Sequence, residues 1–191
     1  FSTEFSDYGR QEIKKNGIEN VKINFDELIP KENKSFDLIC MFQVLEHMGN
    51  LKKVFSELLI LLKPGGHILI AVPNNKHREL FEKFGFIEDT PPTHISRWDK
   101  VSFEFLESLY ELKIVDYKIE STDKVKNIKK FIETCYNQQL FRKINNTKIS
   151  IIRKILKLGF YIVASLPNFM KIYQVTRKNL GVSQWVSLKK I

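Results

Sequence analysis

Residues 35–75 read SFDLICMFQVLEHMGNLKKVFSELLILLKPGGHILIAVPNN, and the pattern within them decides the fold class. Phe36 to Phe42 is a short apolar run between polar residues, as expected of a strand buried on both faces. Gln43-Val44-Leu45-Glu46-His47 leaves the carboxyl end of that strand. Leu51, Val54, Phe55, Leu58, Leu59 and Leu62 then recur at helical spacing, with Lys52, Lys53, Ser56 and Glu57 on the other face. Pro64-Gly65-Gly66 is predicted to stop this helix in a tight turn, because proline cannot continue it and glycine accepts positive φ. His67 to Val72 reads as the next strand, ended by Pro73-Asn74. A strand–helix–strand unit of this kind is parallel and right-handed, so both strand ends open on one edge of the sheet. Open α/β sheets bind their ligands at that edge.

Three pieces at this order and spacing, FDLI, QVLEH and LKPGGHILIAVPN, resemble the middle of a class I S-adenosylmethionine-dependent methyltransferase. The likeness is to the branch that methylates small molecules such as quinones, sugars and lipid-linked substrates. The resemblance implies an α/β fold with a Rossmann-like, mostly parallel sheet. Its last strand, matched by Gly181 to Ile191, is expected antiparallel and at the far edge. It implies S-adenosylmethionine as cofactor and methyl transfer to a small or lipid-linked acceptor.

The opening FSTEFSDYGRQEIKKNGIENV resembles the family's second strand and helix, with Ser6-Asp7 as an N-cap signal and a helix to about Lys15. Glu4 then matches the acid that accepts hydrogen bonds from both ribose hydroxyls; read alone it is a solvated strand-end charge. Val21 to Phe25 reads as a short strand, and Asp26 beyond it matches the adenine-contacting position. Phe42 and Gln43 match positions lining the methionine part of the cofactor, Phe42 being equally readable as core. His47 closes the QVLEH motif, and an imidazole there suits a general base toward a substrate hydroxyl, a positioning group or a purely structural role. Glu46 is expected to brace the loop or cap the helix that starts at Leu51. Thr90-Pro91-Pro92-Thr93-His94 resembles a loop bordering the substrate pocket, which makes His94 a second acid, base or positioning candidate. His47 and His94 lack metal-ligand spacing and a supporting thiolate or carboxylate cluster, so no metal is expected.

The glycine-rich turn of nucleotide-binding sheets precedes the ribose acid by about 20 residues. None of the eight glycines makes G-x-G after a strand. The resemblance therefore implies an N-terminally truncated chain, lacking the family's first strand and cofactor loop. Such a fragment is expected to be inactive alone and to bind cofactor weakly or not at all.

Charge divides the chain. Residues 1–122 carry 16 Lys/Arg and 20 Asp/Glu, a net of −4, whereas residues 123–178 carry 13 and 2, a net of +11. The basic character belongs to one segment, and no nucleic-acid-binding module accompanies it, so a nucleic-acid partner is not expected. The reading divides the chain into a partial Rossmann-like core at 1–122, a basic helical insertion at 123–178 and a returning strand at 179–191. The insertion reads as two or three helices, with Ile149, Ile152, Ile155, Leu156, Phe160 and Val163 as an apolar stripe beside Lys148, Arg153, Lys154 and Lys157. Pro167 breaks the apolar run Leu158 to Met170, which is too short to span a bilayer. It suits either a cap over the substrate pocket or a peripheral membrane contact through 149–178. A non-catalytic remnant that binds membrane or a partner through this segment is the alternative function. Two cysteines, Cys40 and Cys135, give no disulfide framework and point to a reduced, cytoplasmic compartment.

Overall fold

A computed structural model of the chain describes residues 2–4, 6–18, 21–22, 27–83, 91–121, 124–135, 138–177 and 181–191. Ser2–Thr3 (β1) pairs in parallel with Val21–Lys22 (β2), with Asp7–Lys15 (α1) between them. Ser6 caps α1 by accepting the Gly9 N–H at 3.0 Å, as its sequence signal predicts. After the short helix Ile29–Glu32 (α2) come Phe36–Phe42 (β3), Leu51–Leu61 (α3), Leu62–Pro73 (β4), Asn75–Glu82 (α4), Lys100–Leu109 (α5) and Leu112–Ile119 (β5). Lys124–Cys135 (α6), Gln138–Asn145 (α7), Ser150–Ser165 (α8) and Phe169–Arg177 (α9) follow, and Ser183–Lys190 (β6) closes the described chain.

The second sheet has the order β3-β4-β6-β5. β3 and β4 are parallel, in the register Leu38 to His67 and Phe42 to Ala71. β6 runs antiparallel to β5, since the Glu120 N–H donates to the Ser183 carbonyl at one end and the Ile191 N–H to the Glu111 carbonyl at the other. The mixed, mostly parallel α/β sheet expected from the sequence is therefore present.

Four expectations need correction. β6 lies between β4 and β5 rather than at the far edge, which β5 occupies. β3 is not buried on both faces: among the described residues it is an edge strand, with Leu38 and Phe42 53% and 57% exposed and Cys40 exposed beside them. An apolar composition alone does not distinguish an edge strand from a central one. Pro64-Gly65-Gly66 is not a turn before the strand but an irregularity inside it. Phe36 pairs with Leu62 and Leu38 with His67, so residues 63–66 bulge opposite Asp37, and Gly65 supplies the φ of +77° the bulge needs. Lys63 reaches across to Asp37 at 2.8 Å, an exposed pair worth little on its own. Among the described residues the insertion holds four helices rather than two or three, with Pro167 falling between α8 and α9.

Two compact units make up the chain, Phe1–Ala71 with Lys100–Tyr117 and Val186–Ile191, and Val72–Asp99 with Lys118–Trp185. In the first, Ile68 and Ile70 of β4 and Val186 and Leu188 of β6 are fully buried, as are Phe55 and Leu58 of α3 and Phe103 of α5. Phe55 stacks on Tyr110 at 5.4 Å between centroids. The Lys190 ammonium donates to the Leu59 and Leu62 carbonyls at 2.6 and 3.1 Å, a cation closing the carboxyl end of α3.

In the second unit, Leu80 and Phe81 of α4 pack with Phe131 and Ile132 of α6, Ile144 of α7, and Phe160 and Ala164 of α8. Asn74, 1% exposed, joins the chain after β4 to the chain before β6. Its backbone N–H donates to Val182 O at 2.8 Å, its side-chain amide donates to Gly181 O at 2.9 Å, and its amide oxygen accepts from Lys76 N at 3.1 Å as the N-cap of α4. Gly181 sits so close to Glu120 that a Cβ would lie 2.0 Å from its carbonyl oxygen. The Tyr161 hydroxyl donates to Glu133, and burial first, then this bond and the carboxylate's charge, raise its pKa well above the ordinary phenol value.

Two outcomes follow from these contacts. Asn74→Ala strands buried backbone partners and is expected to lower unfolding free energy by about 2–3 kcal/mol in a urea titration. The raised Tyr161 pKa adds stability that is fully present below about pH 10 and is lost as pH rises, because the unfolded phenol ionises first. Tyr161→Phe, which cannot ionise, should show a shallower loss of stability above about pH 10 than the parent in alkaline melts.

Candidate active site

The loop leaving β3 is built by three residues of the QVLEH motif. Gln43 follows the last paired residue of the strand, and its backbone N–H donates to Ala71 O at 2.8 Å, so the β3–β4 pairing continues one bond past the strand. Its φ is +54°, the left-handed region, where a side chain with a Cβ is strained by about 1–2 kcal/mol. Its side chain is exposed. Leu45 is completely buried and anchors the loop. Leu45–His47 then forms one 3₁₀ turn, with the His47 N–H donating to Val44 O at 3.0 Å. That turn turns Glu46 inward, 1% exposed, and leaves His47 exposed.

Glu46 does not cap α3. Asn50 does, accepting from Lys53 N at 3.4 Å with its own φ at +48°. Gly49-Asn50 ahead of the apolar stripe was the signal for this cap, since Asn tolerates the left-handed region and is a favoured N-cap residue. Glu46 is instead a buried carboxylate directly before the exposed His47, a placement the acidic letter alone does not disclose.

Phe42 lies on the exposed face of β3 and is not core, which leaves its ring open to a ligand. Glu4, half-buried, follows β1. Its Oε1 accepts both the Ser6 N–H and the Ser6 hydroxyl at 2.8 Å, and its backbone carbonyl accepts from Arg10 at 2.9 Å. Ser6 thus holds the carboxylate in one orientation. β1 pairs with β2 and β3 with β4, so Glu4 and Gln43 stand at the ends of strands in two separate sheets among the described residues. Asp26 lies outside the described residues. His94 is half-buried in the segment after the turn Pro91–Thr93 and belongs to the second unit. Phe42, Gln43 and His47 are brought onto one short stretch, Glu4 follows a strand of the other sheet, and His94 belongs to the second unit.

A family model described as a methyltransferase domain matches residues 1–116. No curated protein matches the sequence. Among solved structures, a SAM dependent methyltransferase from Archaeoglobus fulgidus superposes with a TM-score of 0.53 and 20% identity, over 99% of this chain and 74% of its own. A Galdieria sulphuraria protein named as a sarcosine dimethylglycine methyltransferase gives 0.52 and 13%, over 98% and 68%. The [4+2]-cyclase SpnF gives 0.52 and 14%, over 99% and 65%. Likeness at these identities establishes the fold alone, and the cyclase among the neighbours shows that this fold serves more than one chemistry.

Strain at Gln43 is expected to separate stability from binding. Gln43→Gly removes the left-handed penalty but adds unfolded-chain entropy, so the net gain in unfolding free energy should be about 0.5 kcal/mol by denaturant titration. A loss of stability instead would show that the Gln43 side chain supports the fold.

Proposed function

The chain belongs to the methyltransferase-domain family, and on that footing we propose that it takes part in S-adenosylmethionine-dependent methyl transfer to a small or lipid-linked acceptor. The observation that carries this reading is Gln43: a non-glycine residue held in the left-handed region at the carboxyl end of a parallel strand. Strain of this kind persists where surrounding structure fixes it, and it clusters at ligand clamps.

The residues present fit the cofactor's chemistry. The Gln43 amide offers one acceptor and two donors, which suits an amino-acid moiety carrying both charges. The exposed Phe42 ring offers an apolar surface for the ligand beside it. The Glu4 carboxylate, oriented by Ser6, suits a vicinal diol. S-adenosylmethionine supplies the methyl on a positively charged sulfur, so its leaving group is built in. What remains for this chain is to align the acceptor and exclude water. His47, exposed on the loop that leaves β3, would take the proton of an acceptor hydroxyl or orient it. The acceptor class rests on the motif's likeness to the small-molecule branch, and His94 is the second candidate for orienting that acceptor.

Calorimetric titration of S-adenosylhomocysteine into the full gene product tests the binding half. Gln43→Ala should weaken the complex about ten-fold, the loss of one to two hydrogen bonds; an unchanged affinity would remove Gln43 from the site. For the chemistry, His47→Asn should lower kcat by about 10²-fold or more while leaving cofactor affinity unchanged, as loss of a general base does. A change confined to KM would make His47 a positioning residue.

A further inference from the structure

We propose that the outward face of α8 and α9 seats on the surface of an anionic lipid bilayer. This goes beyond the methyl-transfer reading and does not depend on it. α8 is apolar on its buried side and on much of its exposed side. Its inner face is accounted for: Phe160 and Ala164, 5% and 0% exposed, pack with α4, α6 and α7. Its outer face is not. Ile151, Ile155, Leu158 and Ile162, at i, i+4, i+7 and i+11, are 71%, 65%, 62% and 56% exposed. Phe169 and Met170 carry the same exposure into α9. A surface helix whose core face is already satisfied is normally polar on the other side. An exposed apolar patch rimmed by polar residues marks an interaction site.

Charge identifies the occupant. Residues 123–178 hold 13 Lys/Arg against 2 Asp/Glu. By helical geometry Lys154 borders the outer stripe, and Lys148 stands just before it, both exposed. An apolar stripe with a basic border is the pattern of a helix lying in the plane of a membrane interface, its cations at the headgroups. Anionic headgroups attract such cations, by about 1 kcal/mol for each one near the surface. A second copy of the chain fits poorly, because it would bring two strongly positive segments together. Crossing the bilayer is not what this surface does: α8 has 16 residues against the roughly 20 a span needs, and no helix among the described residues is long and apolar enough to cross.

Co-sedimentation of the full gene product with phosphatidylcholine vesicles, with and without phosphatidylglycerol, tests this without any cofactor. Failure therefore leaves the methyl-transfer reading standing. The expected result is binding at least about ten-fold stronger to the anionic vesicles, weakening as salt rises. Ile155→Glu with Ile162→Glu should abolish it while the thermal melt stays unchanged, both side chains being exposed. If that variant misfolds, Lys148→Glu with Lys154→Glu serves instead and should weaken anionic binding about ten-fold or more. Equal binding to neutral vesicles, or no binding, overturns the proposal. So does self-association in place of vesicle binding, relieved by the isoleucine substitutions, which would assign the face to a second copy.

Discussion

The parallel pairing of β3 with β4 sets the sheet edge on which the proposed site rests. Parallel neighbours cannot be joined by a hairpin, so a crossover is obligatory, and α3 supplies it with Phe55 and Leu58 buried. Both strands then run the same way, and their carboxyl ends finish on one edge. The last bond of the ladder, Gln43 N–H to Ala71 O, carries the pairing into the loop and holds Gln43 at a φ it would not choose. Leu45, buried two residues later, keeps the loop from relaxing that strain. The exposed Phe42, Gln43 and His47 are thus the consequence of a register set by the apolar residues behind them.

The insertion answers a different constraint. Its helices complete a core of their own around Phe131, Phe160 and Ala164 with α4, and Asn74 ties the start of α4 to the approach of β6 through buried hydrogen bonds. With that core formed, apolar side chains on the outside of α8 and α9, Ile151, Ile155, Phe169 and Met170 among them, stay exposed. The same segment carries the chain's excess positive charge. Apolar exposure and positive charge in one place are costly for a protein alone in water and useful at an anionic surface.

Much of the fold was legible in the letters. The switch from apolar run to helical spacing and back announced the β3–α3–β4 unit, Ser6 announced α1, and QVLEH marked the loop that holds the candidate site. What escaped depends on contacts distant in sequence or on backbone angles. The edge position of β3 is set by which strands pair, and FDLICMF reads the same at an edge or a centre. KPGG fits a turn as well as a bulge, and only the register with Phe36 and Leu38 distinguishes them. β6 slots between β4 and β5 because His67 and Leu62 find partners in it, and Glu111 in Ile191 just after it, more than 75 residues along the chain. The strain at Gln43 and the inward turn of Glu46 are invisible in a residue type. The apolar stripe read along α8 put Ile155 and Phe160 on one face, whereas the core claims Phe160 and leaves Ile155 exposed with Ile151, Leu158 and Ile162.

Hydrogen–deuterium exchange of the full gene product, with and without S-adenosylhomocysteine, tests most directly whether the end of β3 is the ligand edge. Exchange in peptides covering Phe42–His47 should slow on addition of the ligand, while those covering α8 and α9 stay unchanged. Unaltered exchange at Phe42–His47, with protection appearing elsewhere in a chain that demonstrably binds the ligand, would contradict the placement of the site.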